Sequence, residues 1–334
     1  MHRLEYKAYR RSFSREWSTS RKVWSKREGI IVRLQCDEGR VGYGEVAPIE
    51  SFGSESFVTA LGACASLEGE IEPESATNEL LTYPATRFAL QAAVAMIDAQ
   101  DDYYAGFEKP WPVCGLVRDL ADDSSWREAV EQGYRCLKVK IGVGDATSEK
   151  RAIDRLVEET SESVSLRLDA NGALSRKTAI DWLEYLADVP VVEFLEQPLE
   201  KGEEDTMMRM MADFPTRLAL DESVCHVNDL KRWRDQQWEG VFVLKPLLCG
   251  GYEELMEELR VGKMDVVFSS SLESKFGLAN CLAIALQSRN DRRALGFDTE
   301  KLFADKNMGM ALGPFLQGQL CPSIEELDTL WSQI

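Results

Sequence analysis

From residue 136 onward the chain repeats one pattern: a short apolar run that ends on a polar residue, then a longer segment with apolar positions at helical spacing. Cys136-Leu137-Lys138-Val139-Lys140 opens the series. Runs at 164–168, 191–195, 217–220, 241–244 and 264–268 follow, ending at Asp169, Glu196, Asp221, Lys245 and Ser269. Counted from Lys140, the intervals are 29, 27, 25, 24 and 24 residues. Each interval holds one strand, one helix and two short loops, which predicts a barrel of alternating strands and helices. Helices are expected at 124–132, 147–160, 175–187, 203–212, 227–236, 252–260 and 275–287, with their apolar faces toward the strands. Residues 111–116 read as the first barrel strand.

Upstream, the pattern differs. Residues 4–13, 29–35 and 41–46 read as strands, with a turn at Asp37-Glu38-Gly39-Arg40, and helices are expected at 54–67, 73–81 and 84–99, the last starting on Pro84. Residues 1–105 therefore read as an α+β domain and 106–319 as the barrel. Ile324, Leu327, Leu330 and Trp331 give the tail a helical period. A length of 334 residues suits a barrel of about 200–250 residues plus a smaller domain. The polar, basic stretch 14–28, with Trp17 and Trp24, reads either as a solvated loop or as a lid over the barrel mouth.

The barrel places chemistry at one end. The C-terminal ends of its strands share a mouth, so the carboxylates of Asp169, Glu196 and Asp221 meet Lys138, Lys140 and Lys245 there. Three facing carboxylates repel unless a hard cation joins them, and oxygen-only ligands suit Mg2+. Lys138 and Lys140 point to the same side of their strand, roughly 6–7 Å apart. Taken alone, a Lys-x-Lys pair is most often two strand-edge lysines on a solvated face. Buried at a barrel mouth, the pair would crowd, and one would lose its proton well below the usual lysine pKa of about 10.4.

Composition narrows the partners. Net charge is -18, yet residues 1–28 hold nine basic and three acidic side chains, which leaves -24 for the rest. Such a surface repels nucleic acid and anionic membranes, and no apolar stretch is long enough for membrane insertion. Eight cysteines, at 36, 64, 114, 136, 225, 249, 281 and 321, form no Cys-x-x-Cys pair and mostly sit in apolar runs, as expected of free thiols in a cytoplasmic protein. His2 and His226 are the only histidines, so a histidine-rich metal site is excluded, and His226 reads as the start of the next helix. Met207, Met208, Met210 and Met211 read as core filling. Gly142-Val143-Gly144 is no dinucleotide fingerprint, and no P-loop occurs.

Lys138-Val139-Lys140, Asp169-Ala170-Asn171-Gly172, Glu196-Gln197-Pro198-Leu199, Asp221-Glu222-Ser223 and Lys245-Pro246 resemble the active-site motifs of the enolase superfamily in its muconate-lactonising subgroup. Ser269-Ser270-Ser271-Leu272-Glu273-Ser274 and Gly296-Phe297-Asp298-Thr299 narrow the resemblance to the o-succinylbenzoate synthases of menaquinone or phylloquinone biosynthesis. The resemblance implies an α/β fold, a (β/α)7β TIM-like barrel under an N-terminal α+β capping domain, with the tail at about 320–334 packed back on that domain. It implies a lyase using Mg2+, for which Mn2+ would substitute, on a small carboxylate substrate, working as a monomer or homo-oligomer. Asp169, Glu196 and Asp221 would hold the metal, and Lys140 would move the proton. Lys138 would assist Lys140 and bind the substrate carboxylate, Lys245 would face the opposite side of the ring, and Asn171 and Glu222 would orient the others. Ser269, Ser270 and Ser271 would lie against substrate. Two capping loops, 14–28 and Ile49-Glu50-Ser51-Phe52-Gly53, would close the site. The alternatives are an N-succinylamino acid racemase or dipeptide epimerase with the same lysines, and a barrel that binds a small acid without turnover.

Overall fold

The computed structural model describes the chain apart from residues 19–22, 106, 108, 162 and 289–292. It opens with an antiparallel meander, β1 (His2–Ser18), β2 (Val23–Cys36) and β3 (Val41–Val46), and β4 (Gly69–Ile71) pairs on the far side of β1. Gly39 makes the tight turn into β3 at φ +83°, a conformation that costs other residues strain. Period-two alternation sends successive side chains of this sheet to opposite faces. Ile30, Val32 and Leu34 pack on α3 (Pro84–Ala99), together with residues of α1 (Phe57–Ser66) and α2 (Pro73–Glu79). Tyr9, Ile31 and Tyr43 face the other way, onto Phe276, Ala279 and Ala283 and onto Leu327 and Leu330 near the C-terminus.

The stretch 14–28 is a strand pair rather than a loop, and Trp24 within it reaches the cavity at the barrel mouth. β1 and β2 continue through it as a hairpin arm, with Arg11 opposite Arg27, Ser12 opposite Lys26 and, after a register shift, Trp17 opposite Trp24. The Trp17 side chain, Arg21 and Lys22 lie outside the described residues. The expected first barrel strand is also corrected. β5 (Trp111–Pro112) leaves the barrel to pair with β13 (Phe315–Leu316), and the barrel begins at β6 (Gly115–Val117). Pro112 has no N–H to give to a ladder, so the run breaks there.

From β6 the chain alternates through α4 (Asp123–Glu131), β7 (Cys136–Lys140), α5 (Ala146–Thr160), β8 (Ser165–Asp169), α6 (Arg176–Leu186), β9 (Val192–Glu196), α7 (Glu204–Asp213), β10 (Leu218–Leu220), α8 (Val227–Asp235), β11 (Val241–Leu244), α9 (Tyr252–Val261), β12 (Asp265–Phe268) and α10 (Lys275–Gln287). The strands pair in parallel in sequence order. Leu295 and Gly296 close the ring, bridging Val113 on one side and Ser269 on the other. The fold is therefore a (β/α)7β barrel with an N-terminal antiparallel capping sheet. Helix starts follow the local chemistry, with Asp122, Asp145, Ser175 and Ser274 each accepting a backbone N–H at an N-cap. His226 stands at the N-cap of α8, and Met207 and Met210 are buried in the main core.

The sheet and barrel are joined where the site lies. Every residue of α10 from Phe276 to Leu286 is buried, because the helix is enclosed by barrel strands on one side and β3 on the other. Glu45 of β3 accepts the N–H groups of Ser274 (3.0 Å) and Gly277 (2.9 Å), so a carboxylate caps the positive end of that helix. The last helix, α11 (Ile324–Gln333), packs on the capping sheet in the apolar cluster that also takes in α10, and Lys7 donates to the Trp331 carbonyl at 2.8 Å.

Candidate active site

Strand register brings the charged residues to one level. Lys140 lies beside Asp169 and Asp169 beside Glu196 on adjacent strands, while Asp221 and Lys245 immediately follow β10 and β11. Asp169, Glu196 and Asp221 are each at most 3% exposed. All six residues line one cavity at the barrel mouth, with Asn171, Glu222, Ser269, Ser270 and Ser271, so every site residue expected from the sequence is brought together. The apolar wall comes from Leu116, Val243, Val267 and Leu272, and the capping domain adds Trp24, Ile49 and Phe52.

Lys138 Nζ bridges Asp169 (2.9 Å) and Glu196 (2.6 Å), and Lys245 pairs with Asp221. Lys140 instead donates to Asn171 Oδ1 at 2.5 Å, and Asn171 Nδ2 donates to Glu222 Oε1 at 3.2 Å. Asn171 thus stands between the lysine and a carboxylate, in a left-handed backbone conformation (φ 45°) that asparagine tolerates well.

The charges do not balance. Burial and the neighbouring Asp169 push Glu196 up to about 8. Burial and Asp221 push Glu222 up to about 7, and its Oε2 is buried with no hydrogen-bond partner. Asp169 is the exception: burial opposes its charge, but Lys138 and Lys140 hold it near 2. Four carboxyl groups thus face three lysine amines. A divalent cation fits this donor set, with the oxygens of Asp169, Glu196 and Asp221 able to hold it and room left for substrate oxygens. Among the described residues no three acidic, imidazole or thiol side chains are already drawn together as ligands of one ion, since the ammonium groups stand between the carboxylates.

Lys138 is the member of the Lys138/Lys140 pair that stays charged, held well above its ordinary value. Burial opposes its charge, and the attraction of Asp169 and Glu196 outweighs it. Lys245 is raised in the same way, with Asp221 overcoming burial.

The capping loop expected at 49–53 reaches the site: Phe52 places its ring 4.4 Å from Lys245 Nζ, and the fully buried Arg27 holds the segment before it by donating to the Ala47 and Pro48 carbonyls. The Glu273 carboxyl, pushed up to about 7 by burial, accepts from Ser270 Oγ (2.9 Å) and Ser271 N (2.7 Å). Ser271 Oγ has no partner.

Behind the carboxylates, Gln197 Oε1 accepts from Asp221 N (3.0 Å) and its Nε2 donates to Ser223 Oγ (2.8 Å), which in turn donates to Glu204 Oε1 (2.6 Å). This buried chain fixes the turn that carries Asp221 and Glu222. Its loss in Glu204→Ala is expected to weaken divalent-cation affinity by about 10–100-fold, the usual effect of removing an outer partner of a ligand set. Calorimetric titration with Mg2+ checks this, and unchanged affinity in a folded variant contradicts it.

Comparison with known proteins agrees with this geometry. Residues 121–313 match the family model described as enolase C-terminal domain-like, and residues 6–97 match the one described as MenC, N-terminal domain. An o-succinylbenzoate synthase of Thermosynechococcus vestitus is 31% identical over 304 residues, covering 90% of this chain and 93% of that protein. The crystal structure of o-succinylbenzoate synthase from Thermosynechococcus elongatus, with Mg in its active site, superposes with a TM-score of 0.84 at 28% identity over 99% of this chain and 100% of that one. A dipeptide epimerase from Enterococcus faecalis superposes at 0.81 with 20% identity, covering 94% and 96% of the two chains, which speaks for the fold alone. The match over residues 121–313 places this capped (β/α)7β barrel in the enolase superfamily. Within it, the chain belongs to the o-succinylbenzoate synthase family.

Proposed function

We infer that the chain catalyses the Mg2+-dependent syn-dehydration of 2-succinyl-6-hydroxy-2,4-cyclohexadiene-1-carboxylate to 2-succinylbenzoate, a step toward menaquinone or phylloquinone. The observation that carries this reading is the placement of Lys140 and Lys245 on opposite flanks of the acidic cluster, in a cavity whose remaining wall is largely apolar. Asp169, Glu196 and Asp221 would hold the cation. When bound, Mg2+ offsets the second negative charge that builds on the substrate carboxylate as the adjacent carbon loses its proton.

Lys140 takes that proton and returns it to the departing hydroxyl on the same face, so water leaves and the ring becomes aromatic. Asn171 orients Lys140 through the hydrogen bond to its Nζ and is itself fixed by Glu222. Lys138 meets the substrate carboxylate, and Lys245 lies over the opposite face of the flattened ring, in the place where it now meets the Phe52 ring, a contact worth about 0.5–2 kcal/mol. Leu116, Val243 and Val267 exclude water from the ring. Residues 1–105 with the 320–334 tail would close the mouth, and 106–319 would carry the chemistry. Free thiols throughout support a cytoplasmic setting. The direct test is the Mg2+-dependent appearance of the aromatic product from the cyclohexadiene, and no product from folded enzyme with Mg2+ overturns the reading.

The epimerase alternative needs free acidic groups near the last strand for a substrate amine. Here Asp298 accepts from Leu116 N (3.0 Å) and pairs with Lys301, and Glu300 pairs with the buried Arg11 at 2.9 Å. The two activities also separate at Lys245. Dehydration needs only its charge, whereas racemisation needs it neutral in one direction, which arginine cannot provide. Lys245→Arg is expected to retain measurable dehydration and to lose any racemisation of an N-succinylamino acid. Racemisation that survives while dehydration disappears reverses the assignment.

A further inference from the structure

Below the charged cluster, Cys114 and Cys136 meet inside the barrel. Gly115 lies beside Leu137 in the β6–β7 register, which sets the preceding residues side by side on neighbouring parallel strands. Their Sγ atoms are 3.3 Å apart. Both residues are about 95% buried or more, yet Cys114 contributes to the wall of the active-site cavity, so a small neutral molecule entering the mouth reaches the pair. Neighbouring strands run about 4.8 Å apart, within the 4.4–6.8 Å between Cα atoms that a disulfide spans. The backbone is therefore already placed, and only the sulfurs need to approach, to about 2 Å.

The surroundings favour a thiolate at Cys136, while burial and the hydrogen bond with Cys136 push the Cys114 thiol well up. Hydrogen bonding with Cys114 lowers the Cys136 pKa, burial opposes this, and the positive charge of Arg167 lowers it further. The Arg167 guanidinium is held by Glu193 Oε2 (3.0 Å) and the Ala294 carbonyl (2.7 Å), while its Nη2 is buried with no partner among the described residues. A fixed cation beside a thiol pair is the setting in which cysteines become reactive. The proposed dehydration makes no use of either sulfur.

We propose that Cys114 and Cys136 are a peroxide-modification site, a dithiol that closes to a disulfide at the floor of the active-site cavity. A thiolate of the pair attacks one oxygen of hydrogen peroxide, the O–O bond breaks, and a sulfenic acid and hydroxide result. The Cys114 thiol then attacks the sulfenic sulfur, giving up its proton as the second hydroxide leaves. The two thiol protons convert the hydroxides to water, so the pair loses two electrons and the peroxide gains them.

The test treats the full-length enzyme with graded hydrogen peroxide, blocks residual thiols and maps peptides by mass spectrometry. A Cys114–Cys136 cross-link is expected at peroxide concentrations that leave the more exposed Cys36 and Cys321 as thiols, and free thiols under denaturing conditions should fall from eight to six. Dithiothreitol should restore all eight. Cys114→Ala and Cys136→Ser, made separately, should each abolish the cross-link, and the wild-type map stands by itself if either fails to fold. Oxidation of Cys36 and Cys321 while the pair stays reduced overturns the proposal, as does oxidation of either paired cysteine to sulfinic acid without a link.

Discussion

Replacing Lys140 with alanine is expected to lower dehydration turnover by about 10²–10⁴-fold, the usual contribution of a positioned general base, while leaving the fold and cation binding intact. The side chain points into the cavity rather than the core, and its described hydrogen bond is to Asn171 Oδ1. Its removal therefore takes away the proton carrier without opening a void among packed residues. Asn171 keeps its link to Glu222. Steady-state turnover, circular dichroism and Mg2+ titration on the same preparation check this. Retention of more than about a hundredth of wild-type turnover would move the base to another residue, since a loss that small lies below the range for such a group. Lys138→Ala differs in kind. Lys138 is held charged between Asp169 and Glu196, so its removal also takes away the cation that holds Asp169 as an anion, and cation affinity should change along with turnover.

The sequence was most readable where burial imposes a period. Barrel strands are enclosed on both faces, so their apolar runs are continuous, and the polar residue that ends each run is visible against them. That is why Asp169, Glu196, Asp221 and Lys245 could be found by spacing alone. The hairpin arm at 14–28 has no such background. It is rich in charged residues and mostly exposed at 14–16, 25 and 26, so nothing in its polarity distinguishes a strand pair from a loop. The split of 111–116 between two sheets depends on Phe315 and Leu316, about two hundred residues further along. The chain from Gln197 through Ser223 to Glu204 was hidden for a related reason. Its members come from two loops and a helix start, and each alone reads as an ordinary polar residue.

Neutralising the acidic cluster should be as damaging to activity as losing the base, and it can be separated from damage to the fold. Asp169→Asn, Glu196→Gln and Asp221→Asn each remove one charged oxygen donor while preserving shape. Each is expected to weaken Mg2+ binding beyond the roughly 10–100-fold produced by loss of an outer partner, and to abolish most turnover. Glu196→Gln is the most informative of the three. Burial and Asp169 already push the Glu196 carboxyl up to about 8, so the fold gains little from its charge, and a neutral amide there should leave thermal stability without added cation nearly unchanged. A loss of Mg2+ binding and turnover in a variant with wild-type melting behaviour then assigns the defect to the cation. Asp169→Asn contrasts with it, because Asp169 is stabilised as the anion by Lys138 and Lys140, and its neutralisation should lower stability as well. The wild-type enzyme provides the complementary measurement: a chelator should silence it, and Mg2+ or Mn2+ should restore it. Full turnover in excess chelator, or Glu196→Gln with unaltered Mg2+ affinity, would contradict the role given to these carboxylates.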